Sequence, residues 1–137
     1  MSNTVTHDKF FRKAMQLPKV NQAFIKCFLP KEILNNIDIK TLKKEKTTYI
    51  DEALRERISD VVFTCKYRNK PAYFIPLVEH QSTNDPLMSY RVHQYMMAIF
   101  SEFLINHPNA TELPFIYPMI ISIQLFRGFW AYFILDT

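Results

Sequence analysis

A single glycine, Gly128, stands in a chain of 137 residues. Average usage of roughly 7% would supply about ten. Walker loops, dinucleotide-binding GxGxxG turns, kinase phosphate loops and GxSxG elbows each need several glycines, because the backbone must turn tightly or approach phosphate closely. All four are excluded, and no nucleotide cofactor is expected. With 48% hydrophobic and 22% charged residues the chain can build one real core, which argues against disorder. A net charge of +4 leans mildly toward anionic partners.

Cys27 and Cys65 lie 38 positions apart with no CxxC pattern, so they read as buried thiols of a reducing compartment. The start, MSNTVTHDKFF, lacks the basic-then-apolar layout of a signal peptide. The apolar stretch from Phe115 to Leu135 is broken by Pro118, Gln124, Arg127 and Gly128, which argues against a membrane span. The expectation is a cytoplasmic protein.

Apolar spacing predicts helix in two pieces over His7 to Leu29, with Pro18 in the first turn of the second piece and Pro30 ending it. Lys31 to Lys46 reads as a mixed stretch with a short helix, and Thr47 to Ile50 as a short β piece. Ile58–Tyr67 and Ala72–Val78 are the clearest strands, joined by the turn signal RNKP. Both are apolar on both faces, as in a central sheet covered by helices on two sides. A long helix is predicted from Pro86 to Asn106, with a core stripe of Leu87, Met88, Val92, Tyr95, Met96, Ile99, Phe100 and Phe103. Met119–Phe126 reads as another buried strand. The order is α, β, β, β, α, β, a mixed α/β domain.

Two acids interrupt the strongest strands, Asp60 in ISDVVF and Glu79 in FIPLVEHQ. A turn centred between Asn69 and Lys70 sets Asp60 opposite Glu79, Val62 opposite Leu77 and Thr64 opposite Ile75. Facing Cβ atoms would then be about 5 Å apart. Gln81 shares that face by strand alternation. Two facing carboxylates repel, so one holds a proton, a lysine or arginine bridges them, or a divalent cation such as Mg²⁺ or Mn²⁺ sits between them. Pro76 lies inside the second strand and can shift this register.

The blocks HDKFFRKAM, LPKEIL, SDVVF, VEHQS and PLMSYRVHQYM, spread from about His7 to Ile123, resemble the N-terminal domain of the Rpn recombination-promoting nucleases, a bacterial group within the PD-(D/E)xK nucleases. The resemblance implies the restriction-endonuclease-like α-β-β-β-α-β core, a mixed sheet flanked by helices. It implies Mg²⁺-dependent cleavage of DNA, linked to recombination or transposition, with Asp60 and Glu79 on the metal. Gln81 takes the place of the usual lysine, and the backbone carbonyl of His80 becomes a third ligand. Asp8 is an outer carboxylate or a helix cap. Arg91 and Tyr95, four apart on the long helix, meet a phosphate, or else pair structurally and fill core respectively. The lysines Lys40, Lys43, Lys44 and Lys46 read as a solvated face, with nonspecific contact to a DNA backbone as the alternative.

Expected boundaries are a nuclease-like domain over 1–126 and a divergent hydrophobic end over 127–137. The family's proteins are longer, so this form reads as a truncated copy. A homo-oligomer is a further expectation. The alternative function is an inactive remnant that binds DNA or protein.

Overall fold

The computed structural model describes residues 15–52, 61–79 and 86–122, together with 13 and 54. Side chains at 77–79 and 120–122 are not among those described. Helix α1 (Pro18–Phe28) starts where Pro18 supplies a preset φ and no amide hydrogen, and it stops before Pro30. A one-turn helix α2 (Lys31–Leu34) follows. Three antiparallel strands come next, β1 (Ile37–Glu45), β2 (Val62–Tyr67) and β3 (Lys70–Glu79). Helix α3 (Met88–Asn106) then returns the chain, so that β4 (Phe115–Ser122) lies parallel to β3. The sheet order is β1-β2-β3-β4, a mixed sheet in the predicted α-β-β-β-α-β order.

Alternation along the strands sorts the core into two layers. Phe63 and Cys65 on β2, Val61 just before it, and Ala72 and Phe74 on β3 face the α1 side and pack with Phe24, Ile25 and Met15. Val62 and Ile75 face the α3 side and pack with Val92, Tyr95 and Ile99. The two-sided burial read from the strands is thus observed. On the α1 side the rings of Tyr67 and Phe115 stack with centroids 4.9 Å apart, and Phe74 meets Phe115 edge-on at 6.3 Å. Burying a ring the size of Phe24, which is fully inaccessible, contributes about 1.5–3 kcal/mol.

The structure corrects several expectations. Ile37–Glu45 is a strand of nine residues, whereas Thr47–Ile50 is a turn closed by the Ile50 amide donating to the Thr47 carbonyl at 2.9 Å. β1 was obscured because only its inner side is apolar. Ile37, Ile39 and Leu42 pack on the α1-side core, and its other positions are largely charged. Helix α3 begins at Met88, two residues after the expected Pro86, and Leu87 is exposed. Cys65 is buried but Cys27 is exposed, on the outer face of α1. Part of the apolar stretch once open to a membrane reading, Phe115–Ser122, is β4. Among the described residues no helix is long and apolar enough to cross a membrane.

The hairpin register also differs. Tyr67 pairs with Lys70 and Thr64 with Tyr73, so the turn is centred between Arg68 and Asn69. Thr64 does not face Ile75, and the shift is two residues. Both turn residues take left-handed backbone, φ 50° at Arg68 and 64° at Asn69, the two-residue loop whose twist matches that of the strands. Asparagine tolerates this conformation, while arginine needs support. Asn36 supplies it, since its carbonyl accepts from the Arg68 amide at 2.8 Å and its Oδ1 from Arg68 Nε at 3.3 Å. The guanidinium also lies over the Tyr67 ring, 5.4 Å from its centroid. Pro71, taken as part of the turn signal, is a strand residue opposite Lys66.

Tyr49 and Tyr73 pack beside the α3-side core near Glu45 and Glu102. Burial first, then the neighbouring acids and phenol, push the Tyr49 hydroxyl up to about 12, and burial with the same two acids raises Tyr73. Both stay protonated near neutrality. A raised value in the fold means that their stabilising contribution is intact below the ordinary phenol pKa of about 10 and is lost as pH rises above it, for Tyr49 through about 12. Tyr49→Phe is therefore expected to flatten the loss of thermal stability across that alkaline window, read by melting temperature against pH. Burial, with a smaller contribution from Asp38, pushes the Cys65 thiol up to about 11. At neutral pH a thiol reagent should label Cys27 in the folded protein and reach Cys65 only on unfolding. Two equally fast thiols would contradict this burial.

Candidate active site

Strand direction decides what meets at each end of the sheet. β1, β3 and β4 run the same way and β2 runs against them. The residues that close β1 and β3, Glu45 and Glu79, therefore lie at the same end as Val62, the first residue of β2. Glu79 ends β3 and pairs with Ser122 of β4. Tyr73 and Ile75, earlier on the same strand, pack on the α3 face. Asp60, His80, Gln81 and Asp8 lie outside the described residues.

Pro76 shapes this end. In a two-residue hairpin the flanking pair, Tyr67 and Lys70, exchanges both hydrogen bonds, and every second pair does so thereafter. Residues 72, 74 and 76 of β3 then point their amides toward β2. Pro76 has no amide hydrogen to offer, and the paired positions of β2 and β3 end at Phe63–Phe74, one hydrogen-bonding step earlier. On its other side β3 stays in register with β4 through Pro76–Met119 to Glu79–Ser122. The proline thus ends one ladder and leaves the other whole.

Helix α3 lies over this face. Arg91 is half-buried, and its amide donates to the Leu87 carbonyl at 3.0 Å in the first turn. Tyr95, one turn later on the same side, is wholly inaccessible within the core of Ile50, Val62, Ile75, Val92 and Ile99. Of the two readings open for Tyr95, the structure selects core, because a fully enclosed ring has no path to a phosphate. Among the described residues no three histidine, cysteine or acidic side chains gather into a metal-holding group. The convergence that sequence reasoning missed is Glu45, Tyr49, Tyr73 and Glu102, which come from three strand or loop segments and a helix. No spacing rule links positions that far apart.

The chain matches the family described as "Putative transposase, YhgA-like" over residues 5–130. It is 34% identical to recombination-promoting nuclease RpnA of Escherichia coli K12 over 126 residues, covering 92% of this chain and 41% of RpnA. It is 32% identical to recombination-promoting nuclease RpnD of Escherichia coli O157:H7, covering 88% of this chain and 47% of RpnD. The chain thus spans less than half the length of these two relatives. It is also 33% identical to YjiP of Escherichia coli K12, named as a putative inactive recombination-promoting nuclease-like protein, with 72% of this chain and 99% of YjiP covered. No solved structure matches. Read with the two-faced mixed sheet, these matches place the chain in the YhgA-like transposase family that includes the Rpn recombination-promoting nucleases.

Proposed function

We propose that the chain is a metal-dependent DNA endonuclease domain acting in recombination, with Asp60 and Glu79 as its metal-binding carboxylates. The observation that carries the reading is the parity of the hairpin. Val62 on β2 and Ile75 on β3 share the α3 face, and strand alternation carried on from them would put Asp60 and Glu79 on that face too. A two-residue change of register keeps that parity. The observed pairing of β2 and β3 stops at Phe63–Phe74, so it sets no spacing between Asp60 and Glu79; a cation bound at ~2.0–2.1 Å from each oxygen would hold the two carboxylates together across the end of the sheet.

The donor set suits Mg²⁺ or Mn²⁺, since carboxylate and carbonyl oxygens are hard ligands. Asp60, Glu79 and the backbone carbonyl of His80 would hold the ion. Bound there, it supplies charge for a phosphate oxygen and a lowered pKa for a water. Gln81 donates an amide hydrogen bond to a phosphate oxygen or to the attacking water, fixing its direction without adding charge. Arg91 brings a positive charge to the same side of the sheet from α3. Asp8 adds an outer carboxylate. The family of named nucleases supports the reaction class.

A second reading has its own support. YjiP, matched over 99% of its length, bears a name that calls it inactive. On that reading the domain keeps the fold and binds DNA or protein without cutting.

Incubation with supercoiled plasmid separates the two. Nicking should require Mg²⁺ or Mn²⁺ and stop with a chelator. Asp60→Ala and Glu79→Ala should each lower the rate roughly 100-fold or more, as expected when several kcal/mol of charge stabilisation is removed. Gln81→Ala should lower it less. Plasmid binding without nicking would favour the inactive module, and nicking that survives both substitutions would overturn the assigned carboxylates.

A further inference from the structure

The sheet end that carries Glu79 also receives a basic edge. β1 is an edge strand of the described sheet, and Lys40, Lys43, Lys44 and Lys46 lie on it or just beyond its end, all exposed. Among the described residues none of these four ammonium groups is in an ion pair. The acids nearest in the strand face elsewhere or are matched. Glu45 lies toward Tyr49 and Tyr73 on the α3 side. Asp38 sits opposite Lys66 and takes a hydrogen bond from the Lys40 amide at 3.2 Å. Beyond the hairpin tip, Lys70 is bound to Glu112 at 2.8 Å.

Lysines on an edge strand often serve only to prevent pairing with another sheet. Here the edge is already protected. The β1–β2 register slips between Asp38 and Lys43, so β1 arches away from its partner. Within the arch the Thr41 hydroxyl stands in for a strand carbonyl, accepting from the Lys66 amide at 2.9 Å and donating to the Asp38 carbonyl at 2.6 Å. An arched edge is a poor template for a second strand, which leaves the run of four cations without a purpose in aggregation control.

Their direction points to one. β1 runs parallel to β3, so the series from Lys40 to Lys46 advances toward the sheet end where Glu79 closes β3. β1 is two strands away from β3, about 10 Å at the usual strand spacing, and its last residue is level with Val62, so Glu79 lies four residues, roughly 13 Å, further along the sheet. Duplex DNA carries one charge per about 1.7 Å of axis, so a phosphate held at the end of β3 has neighbours within reach of this edge. We propose that the β1 edge, through Lys40, Lys43, Lys44 and Lys46, is a phosphate track that seats duplex DNA across the sheet end beside the candidate active site. This inference rests on the nuclease reading above. It adds the surface that holds the substrate and the side from which the duplex enters.

The test compares two quadruple variants that lose the same charge. One is Lys40→Gln/Lys43→Gln/Lys44→Gln/Lys46→Gln. The control is Lys13→Gln/Lys19→Gln/Lys26→Gln/Lys31→Gln, whose lysines are exposed on or beside α1 and α2. Circular dichroism and melting confirm the fold of each. Binding of a short random-sequence duplex is measured by fluorescence anisotropy with a chelator present, between about 50 and 200 mM salt. The edge variant should lose about 2–4 from the slope of log affinity against log salt and bind roughly tenfold or more weakly. The control should lose less than about one. In the cleavage assay the edge variant should raise KM with little change in kcat.

Equal losses in both variants would overturn the track in favour of total charge. Unchanged binding by the edge variant, with or without new aggregation, would overturn it in favour of edge protection. Attachment of the wild-type protein to phosphatidylserine vesicles but not to duplex would also overturn it. If the wild-type protein nicks plasmid normally while the edge variant binds unchanged, the track alone is refuted. If Asp60→Ala stops nicking while duplex binding keeps its salt slope, seating and catalysis are separable and both assignments hold.

Discussion

The two-residue turn at Arg68 and Asn69 is the constraint on which the rest depends. Two consecutive left-handed residues define which positions of β2 face which of β3, and that register decides which side chains enter which layer. A slip of one residue would flip β3 relative to β2, sending Ile75 into the α1 layer and Phe74 against α3 while Val62 and Phe63 stayed where they are. Arginine is an awkward occupant of such a position, and three contacts offset the strain. The Asn36 carbonyl, the Asn36 side chain and the Tyr67 ring all hold it. The turn is therefore anchored to the segment just before β1, and the edge strand and the hairpin are held as one unit.

From that register the two cores follow. The α1 layer is aromatic, with Phe24, Phe63, Phe74 and Phe115 in edge and tilted contacts that continue to the Tyr67–Phe115 stack at the hairpin end. The α3 layer is aliphatic around one enclosed tyrosine and is bordered by the phenols of Tyr49 and Tyr73 with Glu45 and Glu102. β1 ends level with the start of β2, where Val62 packs in the second layer with Val92 and Tyr95 of α3.

Much of this architecture was legible in residue pattern alone. The β2–β3 strands and the end of α1 at Pro30 follow from apolar runs bounded by proline or turn residues, and so does a last strand, expected over Met119–Phe126 and found over Phe115–Ser122. β1 was not legible, because IDIKTLKKE alternates only on its inner side and its arch breaks the period midway. The register was misplaced by two because Pro71 looked like a turn residue, whereas it fills a strand position opposite Lys66. Cys27 was misread because the helical stripe that includes Phe24 and Phe28 passes beside it without covering it. For the hairpin, face parity was readable and facing partners were not, since parity survives any even shift in register and the facing pairs do not. The Glu45, Tyr49, Tyr73 and Glu102 grouping needed the fold itself, because residues from separate segments carry no local signature.

Pro76 has a consequence for how such a sheet can accommodate a ligand. A continuous ladder resists separation, because parting two strands breaks a row of bonds that must all be given up together. One imino acid in the middle strand removes the first of those bonds in advance. β2 and β3 can therefore diverge from Phe74 onward with no β3 amide given up at position 76, while β4 keeps the far side of β3 stiff. A cleft made this way needs no inserted loop and no glycine. That is how a chain with a single glycine can open its sheet at one end.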